Sequence, residues 1–177
     1  MNVLSDEQQI KNLLFEVAER RDRGDLRGVA ELFAHATFET HYPAGYPGVG
    51  VAADVASARA PGGHGRQTGI DEIEELFRAA MQIYDDGLPH TQYLTTNLIL
   101  EIDEATATAE ARSYYVVFQS LADFPLQPIS AGRYRDRFER VDEQWRFRSR
   151  DIYADHSGDL SHHLTMDPLA YGERFKR

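Results

Sequence analysis

The chain has 177 residues, of which 42% are hydrophobic, and this is the size and composition of one globular domain. Its 29 acidic residues outnumber its 19 basic residues, and the formal charge of −10 argues against nucleic acid and anionic membrane as partners. There is no cysteine, which excludes disulfides and Cys-ligated metal centres. Because no signal peptide or apolar span is recognisable, we expect a cytoplasmic protein that folds alone or as a homo-oligomer.

Three segments show apolar residues at helical spacing. The first helix is predicted over residues 6–21, after a capping box formed by Ser5 and Gln8. A short second helix is predicted over residues 25–33, and a third over residues 69–85.

Between the second and third helices the pattern is lost. Residues 43–69 contain seven of the thirteen glycines and three of the seven prolines, and they show no clear period. We expect a loop or lid that opens and closes over a ligand.

From residue 90 onward the apolar period changes to two, which predicts a meander of long strands up to about residue 155. In this meander Ser113 and Tyr115 share one strand face, and we predict that this face lines a pocket. Helices followed by hairpins, without βαβ alternation, favour an α+β fold with a curved antiparallel sheet. Residues 158–177 form a tail that is either docked or loose.

Three blocks, at residues 18–33, 93–99 and 132–150, carry a family resemblance. The last block is the most specific, with a Gly-x-Tyr-x-Asp strand, a hairpin and a Trp-x-Phe strand. Together the blocks resemble the SnoaL-like branch of the nuclear transport factor 2-like superfamily over about residues 5–160. The resemblance implies a cone-shaped fold with an apolar pocket for one small apolar molecule. It also implies acid–base chemistry without a cofactor, as in polyketide cyclases, scytalone dehydratase and bile-acid dehydratase.

The resemblance assigns three candidate catalytic residues. Asp22 would be the general base, although helical spacing puts Arg21 nearer the centre of the apolar face and a turn residue is the alternative. Tyr93 stands where relatives carry a histidine and would hold negative charge, unless it is a half-buried strand aromatic. Arg150 would also stabilise negative charge on the substrate. Strand alternation, however, places Arg150 on the exposed face together with Arg146 and Arg148, unless a bulge shifts the register.

Two histidines are candidates for further pocket residues, and three others are candidates for metal ligands. His41 could line the pocket mouth or be ordinary polar surface. His90 could replace the missing imidazole, but it lies three residues before Tyr93 and so on the opposite face of a regular strand. The group of His156, His162 and His163 lacks a recognised zinc spacing, and we predict no metal site.

The residues and the resemblance leave two functions open. The first is a cofactor-independent lyase or dehydratase, isomerase or cyclase that acts on a small apolar carbonyl or polycyclic substrate. The alternative is a non-catalytic ligand-binding or structural subunit, like the small subunit of ring-hydroxylating dioxygenases, which shares the fold that the resemblance implies.

Overall fold

A computed structural model describes residues 4–41 and 66–165. The predicted lid therefore lies mostly outside the described residues, as does the tail after residue 165. The two ranges contain the following elements in chain order: α1 (Asp6–Asp22), α2 (Leu26–Leu32), β1 (Thr37–His41), β2 (Gln67–Thr68), α3 (Ile70–Ala80), β3 (Thr91–Asp103), β4 (Thr108–Leu121), β5 (Phe124–Val141) and β6 (Gln144–Ser157). No helix within these ranges is long and apolar enough to cross a membrane.

The first two helices begin where their capping residues predict. Ser5 accepts a hydrogen bond from the Gln8 backbone N–H at 3.2 Å, and Asp25 accepts one from the Gly28 N–H at 2.9 Å. These bonds satisfy donors that have no partner within the helix. The local sequence therefore fixes where the helical layer begins.

The third helix is shorter than predicted, because it ends at Ala80 and not at residue 85. Met81 is extended and forms a β-bridge with Leu164, and the Gln82 N–H donates to the His163 carbonyl at 2.7 Å. Pairing with a distant segment replaces the hydrogen bonds that would continue the helix. The apolar spacing beyond residue 80 therefore predicts burial correctly, but the prediction that the helix continues there is wrong.

The six described strands form one sheet in the order β2-β1-β6-β5-β4-β3. The meander of β3 to β6 is antiparallel as expected, but β1 runs parallel to β6. The predicted α+β fold, with an antiparallel sheet built mainly from residues 90–155, is confirmed; β1 was not predicted, and its pairing makes the sheet mixed and open. A parallel pair is compatible with this order because the long chain between β1 and β6 needs no tight turn.

The long strands contain several bulges, where the pairing register shifts. One lies in β3, where Asn97 has a φ of 52°, and another in β6 at Arg148. Bulges bend a strand and increase its twist, so the sheet can wrap around the helices. The core between the two layers is rich in aromatic rings; Phe33 lies 4.5 Å from Phe147 and 5.2 Å from Phe38 between ring centroids.

The segment after β6 docks across the end of the sheet, which resolves the open question about the tail as far as residue 165. The His162 carbonyl accepts hydrogen bonds from the Tyr84 hydroxyl at 2.8 Å and from the Gln119 amide at 3.0 Å. The Gly158 N–H donates to the Ile129 carbonyl at 2.8 Å. These bonds hold His163 in a fixed position over the core.

Candidate functional site

A cavity of about 170 Å³ lies between the inner face of the sheet, α3 and the docked segment after β6. Its wall is mainly apolar, with a few polar groups, which is the usual composition of a small-molecule site. The apolar lining residues are Phe38, Leu76, Phe77, Ala80, Met81, Val117, Ile152, Ala154, Leu160 and Leu164; the polar ones are Arg21, Thr40, Tyr93, Tyr115, Ser130, Tyr134 and His163.

Tyr93 and His163 form a polar pair in this wall. The Tyr93 hydroxyl lies 3.3 Å from His163 Nε2, and both residues are buried. Burial raises the pKa of Tyr93 to about 12 and lowers the pKa of His163 to about 4, so both are neutral near pH 7. His163 Nδ1 is buried and has no hydrogen-bond partner among the described residues. The pair can therefore give or take a proton at the cavity.

Arg21 brings a positive charge to the same wall from the last turn of α1. Its guanidinium carbon lies 4.0 Å from the centre of the Tyr93 ring and 5.0 Å from that of Phe77. After burial, this charge is the second cause that keeps the pKa of His163 low. It would also attract negative charge on a bound molecule.

Asp22 is next to the cavity but is not among its lining residues. Both of its carboxylate oxygens accept from the Tyr93 backbone N–H at 3.1 Å, and Oδ1 lies 3.3 Å from the Thr91 hydroxyl. Burial raises the pKa of Asp22 to about 6, although these hydrogen bonds oppose the rise. Asp22 thus ties the end of α1 to the start of β3 and places Tyr93.

Arg150 is buried, with 2% of its surface exposed, and binds Asp136 through two hydrogen bonds of 2.6 and 3.0 Å. The bulge that the sequence required is present: Phe147 pairs with Phe138, but Ser149 pairs with Arg137. Arg148 is left over and the register shifts by one residue, which turns Arg150 inward. Arg150 does not line the cavity; its guanidinium lies 4.3 Å from the centre of the Tyr134 ring, which does.

Tyr115 lines the cavity, and its ring stacks on Tyr134 at 4.6 Å. Gly132 makes this stack possible, because a Cβ at that position would lie 2.9 Å from the Tyr115 ring and collide with the Tyr153 carbonyl. Ser113 is buried on the same strand face but is not among the lining residues. The predicted register is correct, while the predicted extent of the lining includes one residue too many.

Neither His41 nor His90 lines the cavity formed by the described residues, and their assignment as pocket residues stays a prediction. Alternation along β1 turns Thr40 to the cavity and His41 to the other face, where its Nε2 lies 3.1 Å from Asp151. His90 precedes β3 with a φ of 53°, and its Nε2 lies 3.0 Å from Asp86. The irregular strand start is real, but it does not bring the imidazole inside.

Three side chains on the outer face, Glu39, His41 and Asp151, lie close enough to share a cation. Each already has a partner, since Glu39 pairs with Arg66 at 3.0 Å and His41 with Asp151. We therefore assign no metal to this group.

The chain belongs to the SnoaL-like domain family, whose model matches residues 2–151. No curated protein matches it significantly.

Solved structures share the fold at low identity. An NTF2-like protein with a cystatin-like fold from Novosphingobium aromaticivorans is 16% identical, with a TM-score of 0.60 over 89% of this chain and 86% of that one. A proposed scytalone dehydratase from the same organism is 18% identical, with a TM-score of 0.58 over 87% of each chain. The beta subunit of a proposed aromatic-ring-hydroxylating dioxygenase, again from this organism, is 17% identical, with a TM-score of 0.59 over 85% and 89%.

Sequence reasoning identified Tyr93 and Tyr115 among the seven polar lining residues and missed the other five, of which His163 and Arg21 bear most on the chemistry. His163 was considered only as a metal ligand, and no local pattern indicates that its segment docks against Met81 and Gln82. Arg21 did leave a signal, because helical spacing places it nearer the centre of the apolar face than Asp22. An arginine on an apolar helix face marks either a buried ion pair or a ligand site.

Proposed function

We propose that this protein is a cofactor-independent acid–base enzyme, a lyase, isomerase or cyclase, that acts on a small carbonyl compound held in the cavity. The main support for this proposal is the Tyr93–His163 pair, which is buried in an apolar wall beside the guanidinium of Arg21. A neutral phenol can donate to a carbonyl oxygen, and a nearby cation stabilises the negative charge that develops there. Proton removal next to that carbonyl is the first step of each of these reactions.

Two groups are candidates for the proton acceptor. His163 has the better position, since it lines the cavity and its Nδ1 has no partner within the described ranges. In the tautomer that this role requires, the Nε2–H donates to the Tyr93 oxygen, so that Nδ1 can accept a proton and the Tyr93 hydroxyl can donate to the substrate. Asp22 has the better pKa, about 6, because a general base works best with a pKa near the working pH. We propose His163 first, because geometry limits proton transfer before basicity does, and keep Asp22 as the second candidate.

Arg150 acts on the site through another residue in this proposal. Its guanidinium lies against the ring of Tyr134, and Tyr134 stacks on Tyr115 in the cavity wall. We therefore assign Arg150 a positioning role, in place of the direct charge stabilisation expected from the sequence.

Proton–deuterium exchange tests the proposal without knowledge of the natural substrate. Cyclohexanone in D₂O is incubated with the protein, and loss of the protons next to the carbonyl is followed by NMR. We expect exchange faster than in buffer, reduced in His163→Gln and Tyr93→Phe proteins that remain folded. If ring ketones bind and the exchange rate equals that of buffer, the proposal fails, and the chain is better described as a non-catalytic ligand-binding subunit.

A further inference from the structure

Arg21 is unusual among the described arginines because no carboxylate of the described residues lies within 4.0 Å of its guanidinium nitrogens. Eleven others lie within 4.0 Å of a carboxylate, including its neighbour Arg20, which binds Glu16. Arg135 and Arg148 also lack an acid within that distance in the described ranges, but both are exposed to water. Of these three arginines without an acid in the described part of the chain, Arg21 is the one that lines the cavity.

The surroundings of Arg21 leave its hydrogen-bonding capacity unused. Within residues 4–41 and 66–165, its buried Nε has no hydrogen-bond partner, and its Nη2 has only the weak acceptor Met81 Sδ at 3.9 Å. The adjacent carboxylate of Asp22 faces the Tyr93 backbone instead. A guanidinium that is partly withdrawn from water and left unpaired is costly, and a ligand anion would remove that cost.

The size of the cavity limits what can accompany such an anion. Its volume is about 170 Å³, and an engineered apolar cavity of roughly 150 Å³ in another protein holds one benzene molecule. One six-membered ring fills this space, whereas the second ring of a fused pair would extend beyond the described wall. The apolar wall of Phe77, Met81 and Val117 suits the faces of such a ring.

We propose that the cavity selects a single-ring compound that carries a carboxylate group, with the carboxylate bound to the guanidinium of Arg21. A carboxylate matches the planar fork of an arginine with two parallel hydrogen bonds. The inference rests on the proposed function only in taking this cavity as the substrate site, and it narrows the substrate class from small carbonyl compounds to single-ring carbonyl compounds that also carry a carboxylate.

Isothermal titration calorimetry with benzoate, benzamide and 2-naphthoate tests the proposal. Benzoate and benzamide have nearly the same shape and differ in charge, while 2-naphthoate keeps the charge and adds a ring. We expect benzoate to bind at least tenfold more tightly than either of the others. The protein carries a net charge of −10, so non-specific binding of anions is disfavoured. Tighter binding of benzoate than of benzamide would therefore report a specific site.

Matched variants test whether Arg21 is the group that binds the carboxylate. Arg21→Met keeps much of the side-chain volume and removes the charge, so benzoate affinity should fall at least tenfold while benzamide affinity stays the same. Arg148→Met, at an exposed arginine without an acidic partner among the described residues, should change neither. Should Arg21→Met fail to fold, Arg21→Lys keeps a charge without the planar fork and should lose part of the benzoate affinity.

Equal binding of benzoate and benzamide, no binding of benzoate, or full benzoate affinity in Arg21→Met would each overturn the carboxylate assignment. Equal binding of 2-naphthoate would overturn the single-ring limit. These results are separate from the exchange test: Arg21-dependent benzoate binding without any ketone exchange leaves this inference standing and removes the catalytic proposal. Ketone exchange without selective binding of benzoate would overturn this inference and leave the catalytic proposal standing.

Discussion

The Tyr93 hydroxyl is the polar group on β3 nearest to His163, and its removal is the simplest test of the candidate site. Tyr93→Phe keeps the ring that packs under Arg21 and deletes only the hydroxyl. We expect the exchange rate of cyclohexanone to fall by roughly 10²-fold, since loss of one donor to a developing oxyanion has that effect. Ligand affinity, measured by calorimetry, should change little; an unchanged exchange rate would exclude Tyr93 from the chemistry.

The acid side of the pH–rate profile separates the two candidate proton acceptors. A general base must be unprotonated, so activity is lost as the pH falls through its pKa. With His163 as acceptor we expect half-loss near pH 4, and with Asp22 near pH 6. We predict the lower value for the wild-type protein.

Asp22→Asn is the control for that profile. Asparagine can still accept the hydrogen bond from the Tyr93 N–H, so the link between α1 and β3 is kept. If His163 is the acceptor, the variant stays active within a few-fold. A loss of roughly 10²-fold or more in kcat, with intact folding by circular dichroism, would assign proton transfer to Asp22.

At the scale of elements, the β5–β6 pair owes its register to the bulge at Arg148 and to the buried pair of Arg150 with Asp136. Arg150→Met leaves the Asp136 carboxylate buried without its partner, which should cost about 3–5 kcal/mol of unfolding free energy. Denaturant unfolding measures the loss. The double variant with Asp136→Leu removes both charges and should be more stable than Arg150→Met alone; if it is less stable, the buried charges are not the cause.

The sequence predicts elements well where the signal is local. Ser5 and Asp25 mark the starts of α1 and α2 through bonds to residues three positions on. The end of α3 was not predictable in this way, because it depends on pairing between Met81 and Leu164. The parallel β1–β6 pair was missed for the same reason, since it joins residues more than a hundred positions apart.

In the candidate site, too, local patterns predict some residues, whereas others depend on contacts between distant segments. The inward facing of Tyr115 follows from strand alternation, which fixes the facing of residues once the register is known. Tyr93, in contrast, was assigned by the family resemblance. Arg150 needed a bulge, which alternation can allow but cannot locate. His163 reaches the cavity only because its backbone carbonyl bonds to Gln82 and the carbonyl before it to Tyr84 and Gln119. These contacts between distant segments have no sequence period.

At the scale of the whole molecule, His163 makes stability depend on pH. The unfolded chain binds a proton at this histidine below about pH 6.5, but the folded chain does so only below about pH 4, because of burial and the nearby Arg21. Acidification from pH 6.5 to 4 therefore favours unfolding, by up to about 3 kcal/mol.

The difference between wild-type and His163→Gln unfolding free energies, measured from pH 7 to pH 4, isolates this effect. As the pH falls, the wild-type protein should lose up to about 3 kcal/mol of unfolding free energy relative to the His163→Gln protein. Asp22 acts in the opposite sense, since its raised pKa favours the folded state as the pH falls below about 6, but it is present in both proteins and largely cancels. A pH-independent difference would mean that His163 is protonated equally in both states.

Self-association is the remaining prediction for the whole molecule. Three large apolar side chains, Leu94, Ile99 and Tyr114, are 41–53% exposed on the outer face of the β3–β4 hairpin. Opposite charges flank them, as in the Arg112–Glu101 pair, so a second copy turned by a two-fold rotation would present complementary charges. Burial of these side chains between two copies removes apolar surface from water.

We therefore expect at least twice the chain mass by light scattering at micromolar concentration. Ile99→Lys places a charge in the contact and should shift the protein to the mass of one chain. Phe15→Lys, at a residue that is 48% exposed on α1, is the matched control and should leave the assembly intact. A monomeric wild type, or an Ile99→Lys protein that assembles as before, would show that this face is not the interface.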